Sequence, residues 1–122
     1  MLILGTMDMK ELSPLVASSE EAARFLQTLG NPNRLIILCK LLDAEEMSVT
    51  ALQEGFDITQ SALSQHLARM REEGLITYRR EAQTLYYSIA DEKVRNVIMV
   101  LKDNFCPKGN EFSTHFMNIQ RT

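Results

Sequence analysis

Few side chains in this 122-residue sequence are equipped for chemistry, and they fall into three groups. The first is a run of hydroxyl, amide and guanidinium groups, Gln60, Ser61, Ser64, Gln65 and Arg69, followed at a short distance by Arg79, Arg80, Gln83 and Thr84. Such groups pair with base edges and with phosphates. The second is a pair of thiols, Cys39 in Ile37-Leu38-Cys39 and Cys106 in Asn104-Phe105-Cys106-Pro107. As residues alone they read as core cysteines, because a buried thiol behaves as a small hydrophobe, or as thiols with a chemical role. The third is two histidines, His66 and His115. Neither has a partner at ligand spacing, so no metal site is expected, and His66 reads as a packing residue or a phosphate donor.

Several classes of chemistry are excluded. A thiol oxidoreductase would be expected to show Cys-x-x-Cys near a βαβ unit, and the chain has neither. It also lacks a Gly-rich phosphate loop, a His-Glu-x-x-His run and a Gly-x-Ser-x-Gly elbow, so enzymatic activity and a cofactor are not expected. A net charge of −3 and a pI near 5.4 argue against a wholly basic nucleic-acid-binding domain, so a case for DNA rests on local charge. With 45% hydrophobic and 24% charged residues, the composition is that of an ordinary globular domain. No stretch approaches the ~20 apolar residues that span a bilayer, and Met1-Leu2-Ile3-Leu4 lacks a basic lead-in and a cleavage site. A cytoplasmic protein with no membrane partner is expected, in a compartment where thiols stay reduced.

The elements that must position these groups follow from periodicity and caps. Ser13-Pro14 opens a first amphipathic helix that runs to Gly30, with Leu15, Ala22, Phe25, Leu26 and Leu29 at helical spacing. Asn31 and Pro32 start a second helix reaching about Asp43, apolar on nearly every side and therefore central. Ser48 caps a short third helix to about Gly55, and Thr59 caps a fourth to Glu73, with Gly74 at the C′ position. Ile76–Arg80 and Leu85–Ile89 are β-type runs around Glu81-Ala82-Gln83-Thr84, a hairpin. Asp91 caps a last helix striped by Val94, Val97, Ile98, Leu101 and Phe105. The third and fourth helices are joined by the short turn Phe56-Asp57-Ile58. The reading is a mainly α chain with a β-hairpin wing, a winged helix-turn-helix.

On the fourth helix Leu63, Leu67 and Met70 share one face, and Ser61, Ser64, Gln65, Ala68 and Arg69 the other. The first face anchors and the second is placed to read a major groove. Base edges specify and phosphates position, so Ser61 and Gln65 are expected to discriminate sequence. Arg79 and Arg80, with Gln83 and Thr84 at the hairpin tip, are expected to supply affinity.

Leu29-Gly30-Asn31-Pro32-Asn33-Arg34-Leu35, Gln60-Ser61-Ala62-Leu63-Ser64-Gln65-His66-Leu67, Gly74-Leu75-Ile76 and Leu85-Tyr86-Tyr87-Ser88-Ile89 together resemble the ArsR/SmtB family of winged-helix repressors. That resemblance covers about residues 20–106. It implies a homodimer that binds a double-stranded operator and leaves it on induction, and the Val94, Val97, Ile98, Leu101 and Phe105 stripe would then be a dimer interface. Metal sensing in this family uses either thiols in the third helix or histidines in the last. Here the third helix reads Ser48-Val49-Thr50-Ala51-Leu52, and no histidine lies between Asp91 and Phe105, so neither site can form. With Cys39 and Cys106, the recognition run and Glu81-Ala82-Gln83-Thr84, the sequence is similar instead to the BigR/SqrR/HlyU-like subgroup. That likeness implies a dithiol bridged by a disulfide or polysulfide in response to reactive sulfur species. A metal-responsive repressor and a DNA-binding regulator with silent cysteines are the alternatives. The expected organisation is an N-terminal arm at 1–12, the winged domain at 13–106, and a C-terminal tail at 107–122.

Overall fold

The computed structural model describes residues 9–105, with side chains from Leu12 onward. Its elements are α1 (Met9–Leu29), α2 (Pro32–Ala44), β1 (Met47–Ser48), α3 (Val49–Gln53), α4 (Gln60–Glu72), β2 (Ile76–Glu81), β3 (Thr84–Ile89) and α5 (Glu92–Phe105). The order matches the sequence reading except at two places. The first helix begins at Met9, so residues 9–12 belong to the helix and not to an arm, and Pro14 lies inside it. A proline that near the N-terminus forfeits one backbone hydrogen bond, which lengthening the helix by a turn offsets. The second difference is β1, two residues too short to carry a periodicity, which pairs Met47 with Tyr87 and Ser48 with Tyr86. The wing is therefore part of a three-stranded antiparallel sheet in the order β1-β3-β2. Cys106 and the tail at 107–122 lie outside the described residues.

The chain divides into two compact units, Met1–Asn31 and Pro32–Thr122. The first contains α1, whose exposed apolar residues include Leu12, Leu15, Val16 and Leu26. The second contains everything that positions the candidate site. Its core is built on α2, where Ile37, Leu38 and Leu41 are fully buried, and is completed by Leu52, Leu63, Leu67, Met70, Ile76, Val94 and Ile98. Burial of each such side chain contributes about 1.5–3 kcal/mol.

Local signals terminate each element. Ser48 Oγ accepts from the Ala51 amide at 3.2 Å and Thr59 Oγ1 from the Ala62 amide at 3.0 Å, so both helices of the helix-turn-helix are capped as their sequences require. The end of α4 is a Schellman turn: the Gly74 amide donates to Arg71 O at 3.0 Å and the Leu75 amide to Met70 O at 2.9 Å. Gly74 takes the φ of +79° that this turn needs. Asp91 Oδ1 accepts from the Lys93 amide at 2.9 Å and opens α5.

α5 packs against α2 and β3, and this corrects one expectation. Val94 and Ile98 are 0% exposed within a single chain, so they belong to its own core and are not open for a dimer contact. A helical stripe records which residues share a face but not which chain covers them. Val97 and Leu101 are half-buried, while Phe105 is 79% exposed, beside exposed Met99 and Val100.

Candidate nucleic-acid interface

α4 presents its two faces as its periodicity demands. Leu63, Leu67 and Met70 are buried, and Gln60, Ser61, Ser64, Gln65, Ala68 and Arg69 are exposed. Three contacts hold the helix-turn-helix in place. Gln53 Nε2 donates to Ile58 O at 3.0 Å, closing the turn between α3 and α4. His66 Nδ1 accepts from Arg34 Nε at 3.0 Å, tying α4 to the start of α2. Burial, and then the Arg34 charge, push the His66 pKa below its ordinary value, so the ring is a neutral acceptor. His66 is therefore a structural tie.

The third contact was not foreseen. Lys40, 6% exposed on α2, donates through Nζ to Ala51 O at 3.2 Å, to Leu52 O at 3.0 Å and to Glu54 O. It also lies 5.2 Å from the Phe56 ring centroid. The ammonium thus saturates carbonyls at the C-terminal end of α3, where positive charge is favourable. Burial lowers its pKa, with Glu54 pulling the other way.

Between α4 and the hairpin lies a cleft of about 520 Å³. Gln60, Ser64, Ala68 and Arg71 form one stripe of α4 along it, and Tyr78, Gln83 and Thr84 come from the wing. Four of the expected residues, Gln60, Ser64, Gln83 and Thr84, are thus brought together. Ser61, Gln65 and Arg69 form the next stripe, outside the cleft, and Arg69 is paired with Glu73 one turn on. Arg71 was missed as a site residue. Its guanidinium lies 4.8 Å from the Tyr78 ring centroid, and among the described residues no carboxylate pairs with it. The signal was present, since Arg71 follows Gln60, Ser64 and Ala68 on one helical stripe.

The two wing arginines part company. In the β2–β3 register Tyr78 faces Tyr87 and Arg80 faces Leu85, while Arg79 faces Tyr86. Side chains alternate along a strand, so Arg80 shares the cleft face with Tyr78, Leu85 and Tyr87. Arg79 is on the opposite face, so the two arginines expected to supply affinity are not presented together. Its guanidinium stacks over Tyr86, 4.7 Å from the centroid, and donates to Glu46 at 2.7 and 2.9 Å and to Glu81 at 3.1 Å. The hydrogen bond from Arg79 pulls the Glu46 carboxyl below its ordinary range, and the two carboxylates raise the pKa of Arg79.

Cys39 lies apart from this interface. It is 7% exposed and lines an apolar cavity of about 370 Å³ with Leu35 and Ile36 of α2 and Ile98, Leu101 and Phe105 of α5. Lys102 contributes its stem there, and its ammonium bonds Asp43 at 2.8 Å. Among the described residues no group of three or more His, Cys, Asp or Glu is placed to hold a metal ion, and no helix is long and apolar enough to cross a membrane.

A capped helix-turn-helix beside a hairpin wing, with an arginine-bearing cleft between them, defines a winged-helix DNA-binding regulator. Residues 31–78 match the family described as bacterial regulatory protein, arsR family. The chain is 46% identical over 99 residues to the HTH-type transcriptional regulator YgaV of Escherichia coli, covering 81% of this chain and 100% of that protein. Among solved structures, reduced HlyU from Vibrio cholerae superposes with a TM-score of 0.72 at 41% identity, covering 76% of this chain and 97% of that one. The transcriptional repressor BigR from Xylella fastidiosa gives 0.70 at 32% identity, covering 77% and 95%. The chain belongs to the arsR family of bacterial transcription regulators and is not an enzyme.

Proposed function

We propose that this chain is a cytoplasmic transcriptional repressor that binds operator DNA as a homodimer and leaves it when Cys39 and Cys106 are bridged in response to reactive sulfur species. The observation that carries the DNA-binding part is the cleft between α4 and the wing. A helix seated in a major groove is flanked by the phosphate strands that bound it, and a wing beyond must let one strand pass between. Arg71, held on Tyr78, and Arg80 on the same side are the cations that strand would meet. Ser61 and Gln65 on the neighbouring stripe would reach base edges, and Gln60, Ser64, Gln83 and Thr84 would bond the backbone. Exposure of Met99, Val100 and Phe105 supports a second copy against α5, with Val97 and Leu101 at its margin.

The switch is supported by the surroundings of Cys39. Its cavity joins α2 to α5 and is lined by Phe105, the residue that precedes Cys106 in the chain. Likeness to a protein solved as reduced HlyU points the same way. In the bridging reaction two protein thiols give up two electrons to one persulfide, forming a disulfide and releasing a thiol and hydrogen sulfide. A second persulfide supplies the additional sulfur of a trisulfide and leaves as its thiol. A direct disulfide needs Cα atoms within about 7 Å, and an inserted sulfur relaxes that limit. Bridging ties α2 to α5 and alters the angle between the two recognition helices, which must match half-sites about one DNA turn apart.

The test is operator release, followed by fluorescence anisotropy, for wild type, Cys39→Ser and Cys106→Ser under persulfide and under peroxide. Release in wild type alone, faster with persulfide and accompanied by a mass gain of whole sulfur atoms, is expected. Release that survives in both single variants rejects the switch and leaves the DNA-binding reading standing. A relative described as a transcriptional activator, HlyU of Vibrio cholerae, makes the sign of regulation a separate measurement, read from a reporter gene.

A further inference from the structure

The wing carries two arginines, and the structure treats them as differently as two adjacent residues can be treated. Arg79 reaches from β2 across β3, over the Tyr86 ring, to Glu46 at the lead-in to β1. Two strand spacings, about 10 Å, are bridged by the side chains of Arg79 and Glu46 meeting end to end. Both oxygens of Glu46 are engaged, at 2.7 and 2.9 Å, in the forked geometry that makes guanidinium–carboxylate pairs specific, and Glu81 adds a third contact at 3.1 Å. The outer face of the wing at this point thus holds one cation and two anions, a local excess of negative charge. The cleft face holds Arg71 and Arg80, with no carboxylate paired to either among the described residues.

We propose that Glu46 is a selectivity residue: it holds Arg79 away from DNA phosphates, so that the wing offers one guanidinium and not two, and thereby limits binding to random sequence. The proposal rests on the DNA-binding reading above. Phosphate contacts carry no sequence information and contribute to every DNA alike, whereas base contacts act only on the right site. Withholding one phosphate contact therefore weakens unwanted complexes without touching the groups that read bases. Arg79 is an exposed side chain near the hairpin tip, and what holds its guanidinium on the outer face is its pairing with the two carboxylates.

Glu46→Gln keeps the shape and one acceptor but removes the charge. With a random-sequence duplex titrated at several salt concentrations, it is expected to bind several-fold more tightly than wild type at low salt. The plot of log affinity against log salt should steepen by about 0.9, the value of one added phosphate. In an Arg79→Ala background the same substitution should produce no steepening, which separates the release of Arg79 from a general loss of negative charge. Arg79→Ala alone should bind random DNA as wild type does. The proposal is overturned if Glu46→Gln leaves affinity and slope unchanged, if the steepening persists without Arg79, or if Arg79→Ala alone flattens the slope by a phosphate contact. Wild type that binds no duplex at any salt concentration would reject the DNA-binding reading itself, and Glu46 with it.

Discussion

Replacing Lys40 with Met sets two large effects against each other. Methionine keeps most of the stem and its packing but removes the ammonium that donates to Ala51 O, Leu52 O and Glu54 O. The bond to Leu52 O is buried, and losing a charged donor there costs about 1.5–3 kcal/mol. The other two carbonyls are partly exposed and can turn to water, so each adds only about 0.5 kcal/mol. Against this stands the gain from no longer desolvating a charge, which is real because burial already lowers the pKa of Lys40. A net loss of about 2 kcal/mol is expected, since the buried Leu52 carbonyl goes unanswered, two further carbonyls exchange a charged donor for water, and only one ion is relieved. For a chain of this size that is a fall in Tm of about 8 °C. Thermal melting followed by circular dichroism, with urea unfolding to check that the slope is unchanged, measures it. Operator affinity should fall as well, because the lost contacts fix the turn that aims α4. A Lys40→Met protein that melts at or above the wild-type temperature would refute the reasoning and make the buried ammonium a net cost.

Arg71→Ala should weaken operator and random DNA by similar factors and flatten the salt dependence by about 0.9 per lost phosphate contact, read from titrations at several salt concentrations. Gly74→Ala should lower stability by about 1 kcal/mol through its φ of +79° alone, because an added Cβ meets nothing within 4 Å, and urea midpoints report the loss. His66 has a folded-state pKa below its ordinary 6.5, so the unfolded chain takes up the proton first. Its contribution is complete above that ordinary value and is lost as pH falls through the folded pKa, so stability should decline on mild acidification. His66→Gln should flatten that part of the pH profile.

Periodicity made the order of the five helices, the wing and the two faces of α4 legible, since Leu63, Leu67 and Met70 fix the buried side and leave most of the other positions exposed. Caps made several boundaries legible too, at Ser48, Thr59, Gly74 and Asp91. The strand β1 was not legible, because two residues hold no pattern and its pairing with Tyr86 and Tyr87 is long-range. Alternation along β2 is enough to put Arg79 and Arg80 on opposite faces, but which face meets the cleft depends on where Tyr78 and Tyr87 pack. Pro14 suggested a helix start that the backbone overrode. The burial of Lys40 could not be read at all: a lysine in an apolar helix gains its partners only when the end of α3 is brought against it.

Cys39 and Lys40 are neighbours in sequence, and on a helix neighbours point about 100° apart. One therefore lines the cavity shared with α5, while the other grips the end of α3. With side-chain tips about 6 Å from the helix axis, a roll of α2 by about 10° carries both through about 1 Å. If bridging rolls α2, a displacement of the sulfur is accompanied by one of the same size at the ammonium. In mechanical terms α2 is an axle, with the thiol and the recognition unit mounted on it a single residue apart.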